Sequence, residues 1–309
     1  MNILTNSKLF LLFFFLIFLN SKISYSQNFD DANLAFEEKK YDKAVSILLN
    51  LANQNNINAH KKLGIMYKNG IGVEQNYTKS IEWLKLPAQH NDLESQKILA
   101  LFYYSGKGIR KDFVKAAHYF ELAAKNGDHS SEYMLATMYK NGQGVKLNKE
   151  KANLLFLSSA KKGNISAQSL MGLYYYEGIE IKQNFLNAAN WFKKAALKGD
   201  IISQFGLANL YHQGIGVPQD YKEAMRLYTQ AAEGGHLKAH SKIADMLIKG
   251  EGFKINKQLA EIWLIKQAEI GGSEIHYSLA EKYYFGEGII KNLNKAAQWY
   301  KKAAENNHF

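Results

Sequence analysis

At 309 residues the chain is longer than one ordinary hydrophobic core sustains, so a modular architecture is expected. A hydrophobic fraction of 47% with 22% charged residues excludes wholesale disorder and a polytopic membrane protein, and the absence of cysteine excludes a disulfide framework, a cysteine nucleophile, a thiolate zinc site and a lipoprotein anchor. The formal charge of +11 rests almost wholly on lysine, since Arg110 and Arg226 are the only arginines; so few bidentate forks speak against sequence-specific nucleic-acid binding.

The chain begins with an address. Leu9–Leu19 is an unbroken apolar run of eleven residues, preceded by Lys8 and followed by a polar stretch ending in Ser24-Tyr25-Ser26. This order matches a secretory signal peptide over 1–26, with cleavage after Ser26. Read as an uncleaved anchor, eleven helical residues at about 1.5 Å each reach only about half of a ~30 Å hydrocarbon core. Removing 1–26 takes away Lys8, Lys22 and no acid, which leaves 37 basic against 28 acidic residues, or +9. The expected location is outside the cytoplasm: periplasmic or secreted in a bacterium, the endoplasmic reticulum lumen in a eukaryote. Membrane attachment is expected only if the leader is retained.

Beyond the leader the chain repeats every 36 residues. Leu63, Leu99, Leu135, Met171, Leu207, Ile243 and Leu279 form one row at that step, and Gly70, Gly106, Gly142, Gly178, Gly214, Gly250 and Gly286 form another. A second glycine row runs Gly72, Gly108, Gly144, Gly216, Gly252 and Gly288, with Glu180 as its one departure. Each period carries two patterns of helical spacing. In the first, Ala59, Leu63 and Tyr67 share a face; in the second, Tyr77, Ser80, Leu84 and Ala88 do. The glycine at 70 ends one helix, and the row Asn76, Asp112, Asn148, Asn184, Asp220, Asn256, Asn292 starts the other with side chains that accept a free backbone N–H. A cap row for the first helix runs Asn56, Asp92, Asp128, Asn164, Asp200 and then weakens to His236 and Gly272. These signals predict a first helix over 57–69 and a second over 77–90, both recurring at +36.

Small residues in the rows of Gly64 and Ala88 alternate with Trp83, Tyr119, Trp191, Trp263 and Trp299, which lets helices pack closely. One such hairpin cannot bury its own apolar face, so the hairpins must stack. The organisation predicted is a leader over 1–26, a shortened capping hairpin over 27–56 and seven repeats over 57–309. Pro87, inside a second helix, is expected to remove one backbone bond and kink the last turn. At the C-terminal end Trp299 and Tyr300 sit on a helix with no polar cap after it, a candidate docking face.

The pattern Ala-x3-Leu-Gly-x2-Tyr-x2-Gly-x-Gly-Val-x2-Asn/Asp-x3-Lys-Ala-x2-Trp-x2-Lys-Ala-Ala-x2-Gly resembles the Sel-1-like repeat, of the tetratricopeptide clan. Asn187-Ala188, Trp191-Phe192-Lys193-Lys194-Ala195-Ala196 and Gly199 carry its second half, and Ala59, Leu63-Gly64, Tyr67 and Gly70-Ile71-Gly72-Val73 its first. The resemblance implies an all-α, right-handed α-solenoid of stacked antiparallel hairpins that acts as an adaptor, often exported. One branch, the cysteine-rich exported proteins of Helicobacter, is associated with penicillin binding and β-lactam hydrolysis. Those members carry a cysteine pair per repeat, which this chain lacks.

No catalytic signature is present: no His-Glu-x2-His, no Gly-x-Ser-x-Gly, no phosphate-binding Gly-x4-Gly-Lys-Ser/Thr. The Gly-x-Gly loops precede helix N-termini, but their Asn/Asp caps already claim those N–H groups. His236, His240 and His276 fall near one another in the repeat frame, yet the row of His60, Gln96, Glu132, Gln168, Gln204, His240 and His276 reads as a polar surface row. No catalytic residue, metal or cofactor is therefore expected. Binding is expected on the concave face lined by the first helices, at Lys61, Lys68, Lys97, Leu101, Tyr104, Tyr133, Lys140, Leu173, Tyr176, Phe205, Asn209, His212, Tyr277 and Tyr284. These rows vary while the core rows stay uniform, and aromatics give large contact area with few torsions to freeze. The function expected is an exported, non-enzymatic scaffold for a protein or peptide partner. The alternatives are an envelope binder of peptidoglycan or acidic glycan and a hydrolase acting on β-lactams or peptidoglycan.

Overall fold

The computed structural model describes residues 29–305, so the leader and its cleavage position lie outside the described residues. Among the described residues there are sixteen helices and no strand. Two compact units divide the chain, the first ending at Ala152 and the second beginning at Asn153, within α8.

The first unit opens with a short pair, α1 (29–37) and α2 (Tyr41–Asn53). The hairpins α3 (Ile57–Asn69) with α4 (Tyr77–Gln89) and α5 (Leu93–Ser105) with α6 (Phe113–Lys125) follow, then α7 (His129–Asn141) and the start of α8 (Lys149–Lys161). The second unit continues with α9 (Ile165–Glu177) on α10 (Phe185–Ala196), α11 (Ile201–Gln213) on α12 (Tyr221–Glu233), α13 (Leu237–Lys249) on α14 (Lys257–Ile270), and α15 (Ser273–Phe285) on α16 (Leu293–Glu305). Within each unit every hairpin also packs on the next.

The caps explain why the helices fall where they do. Asn76 Oδ1 accepts from Lys79 N at 2.9 Å, and Asp112, Asn148, Asn184, Asp220, Asn256 and Asn292 cap their helices the same way. At the first helices Asn56, Asp92, Asp128, Asn164 and Asp200 do likewise, whereas His236 and Gly272 make no side-chain cap. Each first helix ends in a left-handed glycine, from Gly70 to Gly286, with φ between 66° and 77°. Pro87 is buried in the last turn of α4, which spans thirteen residues as α6, α8, α12 and α16 do. The Pro87 carbonyl accepts from His90 N and Asp92 N, so it closes the turn into α5.

The core is broader than rows 63 and 67. Met66, Phe102, Met138, Tyr174, Leu210 and Met246 are buried, one residue before the tyrosine row. Several tyrosines of that row lie under the lysine that follows the next cap: Lys79 Nζ is 5.3 Å from the Tyr67 ring centre, Lys115 5.4 Å from Tyr103 and Lys151 4.1 Å from Tyr139. Cation and ring thus join the two helices of one hairpin, which accounts for the recurrent lysine.

The second loop glycine has two jobs. Its φ is left-handed, and there is no room for a Cβ, because the preceding repeat's second helix starts against it. Gly72 sits on Tyr41, Gly108 on Tyr77, Gly144 on the Phe113 carbonyl, Gly216 on Phe185 and Gly252 on Tyr221. Glu180 takes the same conformation at φ 62°, so the loop keeps its shape without glycine. The turn glycine Gly127 is also left-handed but has open space around it.

These two environments predict a graded series. Gly127→Ala should cost about 1–2 kcal/mol, the left-handed penalty alone. Gly108→Ala should cost about 1–3 kcal/mol more through overpacking on Tyr77, and Glu180→Gly should gain about 1 kcal/mol. Urea unfolding followed by circular dichroism checks the order.

Candidate functional site

The fourteen side chains expected to line a binding surface all lie on first helices. Lys61, Lys68, Lys97, Leu101, Tyr104, Tyr133 and Lys140 belong to the first unit; Leu173, Tyr176, Phe205, Asn209, His212, Tyr277 and Tyr284 belong to the second. Their surroundings separate them into groups.

The row of Lys61 clasps one first helix to the next. Lys61 Nζ lies 2.8 Å from Asp92 Oδ2 and 3.0 Å from Glu94 Oε2, and Lys97 Nζ lies 2.7 Å from Asp128 Oδ1. In the second unit Ser169 Oγ donates to Asp200 Oδ1 at 2.8 Å, and the Phe205 ring stacks on His236 at 4.0 Å. Each partner is the N-cap residue of the following first helix, or lies two residues beyond it. Burial works against the Asp92 and Asp128 carboxylates, but hydrogen bonds from Lys61 or Lys97 and from the adjoining serine outweigh it and hold both below the usual range. Burial likewise pulls the Lys61 ammonium down, and its bonds to Asp92 and Glu94 more than reverse that.

The row of Lys68 leans inward. Tyr104 sets its edge against Phe113 and Phe120 at 5.5 and 6.2 Å, and Tyr176 against Phe185 at 5.6 Å and tilted over Phe192 at 6.3 Å. His212 packs on Tyr221 and Tyr228 and holds Glu251 Oε2 at 2.7 Å. Asn209 accepts from the Tyr228 hydroxyl at 2.6 Å. Lys68, Tyr133, Lys140 and Leu173 are half-buried. Leu101 at 51%, Tyr277 at 40% and Tyr284 at 47% remain exposed; Tyr277 rests edge-on against Tyr300.

One reading is overturned. The row of His60 is not a polar surface row. Gln96, Glu132, Gln168, Gln204 and His240 are buried, and the row reaches back to the last turn of the preceding second helix. Gln96 Nε2 donates to Ala88 O at 3.1 Å and Gln168 Nε2 to Ala160 O at 3.0 Å; His60 Nε2 lies 3.1 Å from Ala52 O and His276 Nε2 2.8 Å from Ala268 O. At Ala52, Ala88 and Ala160 the same carbonyl also accepts a backbone N–H of the closing turn, so the side chain adds a second bond there and ties two hairpins together. Nor are the histidines solvated: His60, His240 and His276 each pack on a tryptophan, Trp83, Trp263 and Trp299, at 5.0, 5.6 and 5.4 Å. Burial holds the His236 and His240 imidazoles below their ordinary pKa. Among the described residues no three His, Asp or Glu side chains gather as a metal site would require. Period and polarity alone could not show that the row-60 acceptor is a main-chain carbonyl.

A Sel1 repeat family model matches residues 57–92, 93–128, 129–164, 165–200, 201–236, 237–271 and 273–308. The chain belongs to the Sel1 repeat family. A protective antigen present in uropathogenic Escherichia coli strains, described as displaying an SLR fold, superposes with a TM-score of 0.82 at 30% identity over 95% of this chain. The chain spans 64% of that protein's length. A Sel1 repeat protein from Oxalobacter formigenes gives 0.62 at 27% identity, covering 78% of this chain and 96% of that one. No curated protein matches by sequence. The Sel1 fold is in general a non-catalytic scaffold that mediates protein–protein interaction.

The clasp predicts an acid response. Because Asp92 and Asp128 titrate below their unfolded value, their contribution is full above about pH 4 and is lost as pH falls through the lowered folded-state values. The Asp92→Asn, Asp128→Asn double variant keeps the cap but not the charge. It should be less stable than the parent at pH 7, with the gap closing on acidification; urea midpoints across pH 2–7 measure this.

Proposed function

We propose that the chain is an exported, non-enzymatic scaffold that holds a protein or peptide partner against the first-helix faces, the inner faces in solenoids of this clan. The observation that carries the reading is the exposure left at Leu101, Tyr277 and Tyr284 while neighbouring positions are taken up by clasps and ring contacts. Three large apolar or amphipathic side chains kept in water on otherwise occupied helices are what a recognition surface requires.

Export rests on the apolar run Leu9–Leu19 and the small residues Ser24 and Ser26. The E. coli relative is described as a protective antigen, in keeping with a place outside the cytoplasm. Absence of the cysteine pairs sets the chain apart from the β-lactam-hydrolysing branch, and nitrocefin turnover by purified protein would contradict the non-enzymatic reading.

The charge of +9 after loss of 1–26 favours one second reading, an acidic envelope polymer as the ligand. Salt separates the two, since exposed charge attraction is screened at about 10 Å in 0.1 M salt and less at higher concentration. Capture from an envelope extract, quantified by mass spectrometry, should survive 0.5 M salt and fall at least tenfold for the Leu101→Ser, Tyr277→Ala, Tyr284→Ala variant. Capture that vanishes with salt and ignores the three substitutions would favour the polymer.

A further inference from the structure

The junction between the sixth and seventh repeats departs from the others at several rows. The row that presents Ala59, Ser95, Ser131, Ala167, Ser203 and Ala239 to the preceding hairpin holds Ile275, too large for the same seat. The buried apolar row of Met66 ends in Lys282, and the row of Pro87, Ala123, Ser159, Ala195 and Ala231 has Gln267. The turn departs too: α14 runs to Ile270, Gly271 is extended rather than left-handed, and Gly272 offers no side-chain cap. Ser241, in the clasp row, therefore has no acidic N-cap ahead of it. Gly288 meets the Ile248 side chain instead of the start of a helix.

On its outer side the junction is tied by Glu261, whose Oε1 accepts from Tyr283 OH at 2.7 Å and from Lys295 Nζ at 2.6 Å. On the other side a cavity of about 330 Å³ opens between α13, α14 and α15. Leu264, Ile275 and Leu279 supply its apolar wall, and Ser241, Gln267, Glu274, Ser278 and Lys282 its polar groups. Ser241 Oγ donates to Lys238 O at 3.0 Å. Among the described residues the side chains of Gln267, Glu274, Ser278 and Lys282 make no hydrogen bond or ion pair.

We propose that this cavity binds a short peptide of about three residues with both ends free, its ammonium on Glu274 and its carboxylate on Lys282. Glu274 and Lys282 are eight residues apart on α15, about 12 Å along the helix axis. An extended chain rises about 3.3–3.6 Å per residue, so three residues place opposite charges at the two ends of that span. Gln267 and Ser278 supply donors and acceptors for the peptide groups between, and the leucines take small apolar side chains. A cavity of this size holds such a ligand and little more. The proposal goes beyond the scaffold reading: it concerns a cavity and a free oligopeptide, not an exposed helix face and a macromolecule.

Calorimetric titration of the full chain with trialanine tests it. Saturable binding is expected, at least tenfold weaker for Glu274→Gln and for Lys282→Met. Lys282→Met restores the residue class of its row, so its fold is safe, and circular dichroism verifies both variants. N-acetyl-trialanine should bind weakly and be indifferent to Glu274→Gln; trialanine amide should be indifferent to Lys282→Met. No saturable heat from any of the peptides, or binding that neither variant alters, overturns the proposal. Macromolecular capture that fails while trialanine binds would remove the scaffold reading alone.

Discussion

Wherever the second glycine of an interhelical loop sits on the start of the preceding repeat's second helix, it leaves no room for a side chain of its own against that helix's first residue. That approach sets the spacing of neighbouring hairpins, because any Cβ at Gly108 or Gly144 would enter Tyr77 or the Phe113 carbonyl. A hairpin with one apolar face has no stability of its own, so it must pack on its neighbour. The Gln96 side chain adds a contact at the same junction, its Nε2 donating to the Ala88 carbonyl in the last turn of the preceding helix.

The seat also decides what the surface can do. With hairpins this close, residues on successive first helices come within reach of one another, and lysines that look free in the sequence become clasps. Lys61 and Lys97 are held by Asp92 and Asp128, and Phe205 by His236. Of the fourteen side chains, Leu101, Tyr277 and Tyr284 stay exposed, a smaller and more apolar set. At the last junction Gly288 meets the Ile248 side chain instead, and a cavity ringed by polar side chains opens between α13, α14 and α15. Regular junctions build the frame, and the irregular one carries the candidate ligand chemistry.

Helices and their ends were legible in the sequence because their causes are local. An asparagine or aspartate before a helical pattern and a glycine after it act within a turn, and Asn76, Asp112 and Gly70 cap as their identity implies. The rest depends on contacts between helices, whatever the distance along the chain. Gly72 reads as a turn glycine, and only packing reveals Tyr41 behind it. Gln96 and Gln168 read as surface because amides favour water, yet here a buried carbonyl replaces water. Tyr104 and Tyr176 read as free aromatics, and they lie against the second helices of their own hairpins. At the last junction Ile275, Gln267 and Lys282 are visible as departures from their rows, but that together they open a space follows only from three helices at once.

A register test addresses the interlock most directly. Deleting residues 201–236, one full period inside the second unit, joins Asp200 to Leu237 and leaves each remaining seat and carbonyl bond a homologous partner. Deleting 201–218, half as much chain, sets one second helix directly after another and leaves neither. Circular dichroism with urea unfolding should show the parent's helical signal per residue and a single cooperative transition for the 36-residue deletion, and loss of both for the 18-residue deletion. Equal behaviour of the two proteins, or collapse of the longer deletion, would contradict a structure held together by contacts that repeat with the sequence.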